Sequence, residues 1–230
     1  MTDTHSRLLV ISPHLDDAVF SCGAALAASP GAVVCTVFAG APRDERVTEW
    51  DTQCGFADAR DAMRTRRAED AAALEVLGAR AVHLHFLDAQ YMEDDANTPA
   101  YIAASLLDVI HHHACDVVFI PLGLFHSDHA LVHEASCIAC VSDTSVTCIA
   151  YEDCLYRCMN GLVQRRIAEL ASQGIEATPL LEPVDAGTFQ RCFETKQRAV
   201  QRYASQLRAF GPHGYDDVLA LERFWTLRHV

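Results

Sequence analysis

Two clusters of histidine and aspartate follow apolar runs, and they hold the residue types best suited to chemistry. Residues 13–17 (PHLDD) come directly after the apolar run 8–11, and residues 126–129 (HSDH) follow the run 117–122. Open α/β sheets keep their chemistry beyond the carboxyl ends of their strands. Imidazole nitrogen and carboxylate oxygen are zinc ligands. The two clusters together therefore predict a divalent metal site with a spare carboxylate beside it.

The spacing of these residues suggests which of them bind the metal and which one acts as a base. His14 and Asp17 are three residues apart at a predicted strand-to-helix turn, so both can face one ion, and His129 can complete a set of three ligands. A catalytic metal leaves one position open for water. Asp16, adjacent to a ligand but free, is the candidate general base that takes the proton of that water.

The second cluster supplies two further candidates for the reaction. We expect His126 to lie over the substrate oxygen and stabilise developing negative charge. We expect Asp128 to orient His126 through its ring N–H. The alternatives are a pair of acids that only cap a helix and a structural His14. Convergence of the clusters at two strand ends favours the metal, which is Zn²⁺ by ligand type, although Fe²⁺, cobalt or manganese also suit such ligands.

The elements that must position these residues alternate along the chain. Apolar, β-branched segments at residues 7–12, 32–38, 81–87, 116–122 and 147–151 predict strands. Helical patterns lie between them, at residues 18–29, 57–77, 99–113 and 129–141. Residues 39–55 and 88–97 are loop-like. This alternation predicts an α/β fold, a Rossmann-like three-layer α/β/α arrangement with a mostly parallel sheet.

The pattern loosens beyond residue 152. Helices are predicted at residues 162–173 and 196–209, and a short edge strand at 178–183. We predict a single domain over residues 1–230, with a Rossmann-like core to residue 150 and a C-terminal elaboration from 151.

Composition disfavours several classes of partner. The chain has 18 basic and 31 acidic residues, a net charge of −13, which disfavours nucleic acid and anionic membranes because both require basic surfaces. We see no signal peptide and no apolar window of transmembrane length, so we expect a cytoplasmic protein without membrane insertion. The sequence leaves the oligomeric state open and is compatible with a homo-oligomer.

Cysteine usage adds one ambiguous motif. Ten cysteines in a cytoplasmic protein are expected to stay reduced. Cys137 and Cys140 form a CxxC that could be redox-active or bind zinc, but there is no second pair to complete a zinc site. Both fall on one face of a predicted helix, which favours a structural role.

The two clusters also carry a family resemblance. Residues 13–17 and 126–133 (HSDHALVH) resemble the PIG-L/LmbE-like zinc-dependent deacetylases, among them enzymes that deacetylate N-acetylglucosaminyl groups in glycolipid-anchor, mycothiol and bacillithiol synthesis. Weaker similarity continues at residues 66–69, 77–78, 86–88, 151–152 and 196–206. The family often has Pro-Asp-Asp-Glu where this chain has Leu15 to Ala18, a departure that removes no proposed ligand or base.

The resemblance implies a Rossmann-like fold and hydrolysis of an acetamide to an amine and acetate. It implies the same metal ligands, His14, Asp17 and His129. It also implies Asp16 as the base and His126 as the group that stabilises the tetrahedral intermediate.

The resemblance further implies contacts to substrate. Arg66 and Asp88 match positions that hold sugar hydroxyls, while their alternatives are an exposed helix charge and a strand-end cap. Trp50, Phe56 and Tyr91 could stack on a pyranose, but packing is the more common role of such aromatic residues.

We therefore predict a zinc-dependent hydrolase that removes the acetyl group from an N-acetylated amino sugar or a small conjugate of one. Its substrate partner would be a small-molecule N-acyl amino sugar. The alternatives are a metal-dependent amidase acting on another acyl-amide, such as a thiol conjugate or antibiotic intermediate, and a non-catalytic, metal-stabilised binding protein. Dinucleotide binding is disfavoured because no G-x-G-x-x-G follows the first strand.

Overall fold

The computed structural model describes residues 7–92, 97–143, 145–180 and 185–229. Its strands are β1 (Leu8–Ser12), β2 (Val33–Thr36), β3 (Arg80–His83), β4 (Val117–Pro121), β5 (Thr147–Tyr151), β6 (Ile175–Pro179) and β7 (Phe224–His229). Its helices are α1 (Asp17–Ala27), α2 (Glu49–Gln53), α3 (Ala59–Leu77), α4 (Pro99–His113), α5 (Ser127–Ser142), α6 (Leu162–Ser172), α7 (Ala186–Val200) and α8 (Ala204–Phe210). Short 3₁₀ helices lie at Ala89–Tyr91 and Asp216–Leu219.

The seven strands form one sheet in the order β3-β2-β1-β4-β5-β7-β6. The first five strands in that order run parallel, and β7 is antiparallel to both of its neighbours. The prediction of a mostly parallel α/β sheet is confirmed. The connections run outward in opposite directions from β1 and β4, so a topological switch point lies between these two strands. The two His/Asp clusters leave the sheet at this point.

The central strand β1 is buried on both faces of the sheet. Ile11 belongs to one core cluster with Ile102 of α4 and Val132 of α5. Val10, pointing the other way, belongs to a second cluster that includes Leu74 of α3. Burial on two faces explains why this strand reads as an unbroken apolar run instead of an alternating one.

A buried ion pair supports a kink in α1. The backbone of Cys22 is non-helical, with φ −133° and ψ 16°. Lys196 donates to the carbonyl oxygen of Phe20 (2.7 Å) and to the carboxylate of Glu222 (2.8 Å). The same carboxylate accepts from the backbone N–H groups of residues 24–25 (2.8 and 3.1 Å). These side chains replace hydrogen bonds that the interrupted helix loses at the kink.

Two of the segments predicted in the amino-terminal half of the chain differ in detail from the structure. The loop predicted at residues 39–55 contains α2, which begins at a capping box formed by Thr48 and Asp51. The strand predicted at residues 81–87 ends at His83. Past this point the chain leaves the ladder with β2, and the carbonyl of Phe86 accepts from Gly40 in the loop that follows β2.

The C-terminal part differs more from the sequence prediction. The helix predicted at residues 196–209 is two helices, α7 and α8, separated by residues 201–203. The predicted edge strand is β6, displaced toward the amino terminus of its predicted range, and residues 181–184 lie outside the described part of the chain. Strand β7 was not predicted, and it places the end of the chain next to β5 in the same sheet.

The helices also show where the CxxC motif lies and whether any of them is long and apolar enough to span a membrane. The CxxC lies on α5, where Cys140 is buried and Cys137 packs partly buried against the same core cluster, in line with a structural role. Within the described ranges, no helix combines the length and the apolar character needed to cross a membrane.

Candidate metal centre and its cleft

The loops after β1 and β4 bring the three predicted ligands together. One carboxylate oxygen of Asp17, Oδ2, lies 3.1 Å from Nδ1 of His14 and 3.2 Å from Nε2 of His129. Ligand atoms held tetrahedrally at about 2.1 Å from an ion lie about 3.4 Å from one another. The spacing of these atoms therefore suits a single ion of the size of Zn²⁺.

The state of His129 provides an independent test of that fit. Its Nε2 atom is buried and, within the described residues, makes no well-aligned hydrogen bond, although Oδ2 of Asp17 lies 3.2 Å away. A buried polar atom left without a partner is costly, and a metal ion would satisfy it. Burial lowers the pKa of His129, but Asp17 and Asp153 outweigh it and raise the pKa to about 9. A site this negative favours a cation, and a metal ion would displace the proton.

A carboxylate contacts each candidate histidine ligand on the ring nitrogen that does not face Asp17. Nδ1 of His129 lies 2.7 Å from Oδ1 of Asp153, and Nε2 of His14 lies 3.0 Å from Oδ2 of Asp128. Such carboxylates fix the tautomer and the ring orientation of a ligand histidine. Sequence reasoning missed Asp153. The available signal was its place two residues after β5, whose carboxyl end lies at the same edge of the sheet as those of β1 and β4.

The contacts of Asp128 differ from those we expected. Its carboxylate bonds to Nε2 of His14 (3.0 Å), and within the described residues no hydrogen bond joins it to the His126 ring. Its backbone N–H instead donates to Nδ1 of His126 (3.2 Å). Since Nδ1 is the acceptor, a neutral His126 ring carries its proton on Nε2. A second trio, His14, His126 and Asp128, also has its ligand atoms within 4.8 Å of one another. The trio with Asp17 and His129 suits an ion better because it contains Nε2 of His129, the buried nitrogen that makes no well-aligned hydrogen bond within the described residues.

Asp16 and Arg66 lie buried beside the candidate metal centre, and both line a cleft of about 340 Å³. Burial, followed by the neighbouring charge of Asp17, raises the pKa of Asp16 to about 7, although Arg66 opposes this rise. The alternative interpretation of Arg66 as an exposed helix charge is wrong, since the residue is only 4% exposed. Among the described residues, its Nε atom has no hydrogen-bond partner.

Asp88 combines two features that the sequence presented as alternatives. It caps the 3₁₀ helix Ala89–Tyr91, accepting from the backbone N–H (3.0 Å) and the side-chain amide (2.7 Å) of Gln90. It also lines the cleft, with Oδ2 3.9 Å from Nε2 of His14.

The aromatic candidates separate into different environments. Trp50 lines the cleft, and its indole N–H donates to the side chain of Gln206 (3.1 Å). Tyr91 is buried, and its hydroxyl donates to Asp51 (2.6 Å), so it packs behind the site. Phe56 is not among the residues that line the cleft. Other lining residues that the sequence did not single out are Phe20, Gln90, Cys154, Leu155, Tyr156, Gln206 and Phe210.

Comparison with known proteins shows a family match and similar solved structures. Residues 9–140 match the model of the PIG-L family, described as GlcNAc-PI de-N-acetylase. A deacetylase of the teicoplanin biosynthesis pathway, solved in complex with bog, has 27% sequence identity and a TM-score of 0.83 over 98% of this chain and 99% of its own. The zinc-inhibited form of teicoplanin deacetylase has 26% identity and a TM-score of 0.82, again over 98% and 99%.

The pseudoaglycone deacetylase of the antimicrobial reagent A40926 is similar to the same extent. It has 27% identity and a TM-score of 0.78 over 97% of this chain and 98% of its own. Among curated proteins, no sequence gives a significant match.

Proposed function

The chain belongs to the PIG-L family, and from this premise we propose that it is a metal-dependent hydrolase that removes the acetyl group from an N-acetylated amino sugar. The observation that carries the proposal is the convergence of His14, Asp17 and His129 beside a cleft, with Nε2 of His129 buried and without a well-aligned hydrogen bond in the described part of the chain. The deacetylases of similar structure support the reaction type.

We assign the metal to these three residues. Their nitrogen and oxygen donors suit Zn²⁺, and also Fe²⁺ or another divalent ion. When bound, such an ion supplies Lewis acidity and lowers the pKa of a water molecule. Because a related teicoplanin deacetylase has a zinc-inhibited form, the assay must titrate zinc and not simply add it in excess.

The chain's own residues then perform the proton transfers. Asp16 takes a proton from the attacking water, whose oxygen bonds to the acetamide carbon. The Nε2–H of His126 donates to the oxyanion of the tetrahedral intermediate. As the C–N bond breaks, Asp16 returns the proton to the leaving nitrogen, giving a free amine and acetate. Arg66 and Asp88 hold hydroxyl groups of the sugar.

We further propose that the amino sugar is part of a larger conjugate. The similar deacetylases are described as acting in teicoplanin biosynthesis and on a pseudoaglycone, and the chain matches them over nearly its whole length. A metal-dependent amidase for a different acyl group is the second candidate, since the metal centre itself does not distinguish one acyl chain from another.

Two measurements on the purified protein test the reaction. Elemental analysis should find about one divalent ion per chain, and His14→Ala should lose it. Asp16→Asn should keep the ion while the release of free amine from N-acetylglucosamine conjugates falls by roughly 100-fold or more, because the base is lost. Asp108→Asn, a change of the same type on the exposed face of α4, is the matched control and should behave like wild type.

The possible failures are distinct from one another. Wild-type protein that binds no divalent ion would reject the metal centre. Full activity in Asp16→Asn would reject Asp16 as the base. A protein that holds the ion in these ligands but releases no amine from any N-acyl sugar would instead be the non-catalytic binding protein.

A further inference from the structure

An exposed and strained aromatic residue stands next to the proposed catalytic histidine. Phe125 directly precedes His126, is 67% exposed, and has a φ of +60°. The backbone N–H of His126 donates to the carbonyl of Leu124 (2.7 Å), which closes a three-residue turn with Phe125 at its centre. A γ-turn with positive φ is rare and strained, and bulky side chains seldom occupy this region.

The surrounding structure holds this turn in place. Both carboxylate oxygens of Asp153 are used. Oδ2 accepts from the backbone N–H of Leu124 (3.0 Å), and Oδ1 bonds to His129 (2.7 Å). The turn is thus fixed to a metal ligand, which explains why the strained backbone persists. It does not explain the side chain, since glycine would adopt the same backbone with less strain and expose no apolar surface.

The position of the ring suggests what the side chain contributes. The ring centroids of Phe125 and Tyr156 are 5.4 Å apart, with 33° between the ring planes. Tyr156 lines the cleft, and its ring lies 5.1 Å from that of His129 and stacks at 6.4 Å on that of His126. Phe125 and Tyr156, here named the aromatic rim, therefore form a continuous aromatic surface from the metal centre to solvent.

The size of the cleft indicates which part of a substrate would meet this surface. A volume of about 340 Å³ is at the low end for ligand pockets, which accommodates one sugar ring and leaves the rest of a conjugate at the mouth. We propose that the aromatic rim is a subsite for an apolar, aromatic aglycone attached to the amino sugar, with Phe125 as its specificity-determining residue. The sugar in this statement depends on the proposed function, but the binding of an aromatic ring does not.

Binding of unreactive amines tests the subsite without requiring turnover. The probes are phenyl and methyl 2-amino-2-deoxy-β-D-glucopyranoside, titrated calorimetrically into the metal-loaded protein. Wild type should bind the phenyl glycoside about fivefold to tenfold more tightly, as expected for one offset aromatic contact. Phe125→Gly should reduce this ratio to near one, and Phe125→Trp should keep it. Tyr101→Ala, which removes an aromatic ring of similar exposure on α4, should keep the wild-type ratio.

Thermal unfolding separates lost binding from lost folding. Phe125→Gly relieves backbone strain, so its Tm should stay level or rise by about 2–4 °C while the preference for the phenyl glycoside disappears. Wild type without a preference, wild type that binds neither glycoside, or an undiminished preference in Phe125→Gly would each overturn the inference.

The N-acetyl forms of the same two glycosides, assayed in parallel for amine release, test the proposed function separately. If they stay intact while the phenyl preference is present and requires Phe125, the subsite is supported and the deacetylase assignment is wrong. If both are hydrolysed and no preference exists, the deacetylase assignment holds and the subsite is wrong.

Discussion

Each candidate histidine ligand is fixed by a carboxylate on the ring nitrogen that faces away from the proposed ion. Asp128 approaches His14, and Asp153 approaches His129. Both carboxylates are buried, where charge–dipole interactions are less screened than in water. They leave Nδ1 of His14 and Nε2 of His129 as the nitrogens available to a metal. The geometry of the centre is therefore set as much by these two acids as by the ligands themselves.

We expect Asp153→Asn to weaken metal binding by about 10-fold to 100-fold. The amide still has an oxygen that can accept from the backbone of Leu124, but it lacks the charge that raises the basicity of His129. The measurement is a competitive titration of the metal against a chromophoric chelator, with Asp108→Asn on the protein surface as the control. An unchanged dissociation constant would mean that Asp153 serves the turn at Leu124 and not the ligand.

At the scale of elements, the sequence predicted the strands correctly wherever burial requires a continuous run of apolar residues. Strands β1, β2, β4 and β5 read as apolar runs because the sheet is covered on both faces. Helix α2 was missed because a five-residue helix has too little length for apolar periodicity, and its start depends on the capping of Thr48. Strand β7 was missed because its pairing with β5 and β6 is non-local.

The same distinction applies to the site. The convergence of the three candidate ligands could be predicted because His14 and Asp17 share one turn and His129 lies at the start of the helix after the neighbouring strand. Asp153 and Tyr156 were missed, since their contacts with His129 join residues more than twenty positions apart. Spacing along a chain does not encode that proximity.

Helix α5 carries a titratable group whose effect on stability can be predicted. His133 is buried, and its Nδ1–H donates to the carbonyl of Pro121 at the end of β4 (2.8 Å). Burial lowers its pKa to about 4, with Arg166 adding to the shift. The folded state thus favours neutral His133, whereas an unfolded chain protonates it near pH 6.5. The contribution of neutral His133 to the free energy of unfolding is fully present above pH 6.5. It is lost as the pH falls toward 4, by roughly 3 kcal/mol in total.

Replacing His133 with Asn keeps an N–H donor for Pro121 and removes the titration. Between pH 6.5 and 4, the free energy of unfolding of His133→Asn should therefore fall less steeply than that of wild type. Urea denaturation at several pH values in this range measures both slopes. His112→Asn changes an exposed histidine at the end of α4 and should follow the wild-type slope. Parallel curves for wild type and His133→Asn would show that His133 does not titrate differently in the two states.

At the scale of the whole molecule, the candidate metal centre lies where the sheet's two halves meet. The loop after β1 supplies His14 and Asp17, and the helix after β4 supplies His129, so one ion would tie together segments more than a hundred residues apart. The same point gathers carboxylates in a chain whose net charge is already −13. Without a metal ion, only cationic side chains such as Arg66 and protonated His129 offset their mutual repulsion, which opposes folding. Metal binding and global stability should therefore be strongly linked.

Metal should raise the thermal stability of the whole chain. A ligand at 100 times its dissociation constant that binds only the native state adds about 2.7 kcal/mol. In a chain of 230 residues this corresponds to a rise in Tm of about 5–11 °C.

Differential scanning fluorimetry across a zinc titration measures the rise, and a chelator should reverse it. His129→Ala should show no rise, while His112→Ala should respond like wild type. A rise that persists in His129→Ala would place the stabilising ion elsewhere. Since the shift follows from mass action, the dissociation constant it yields must agree with that from the chelator competition, which ties stability to the same three ligands.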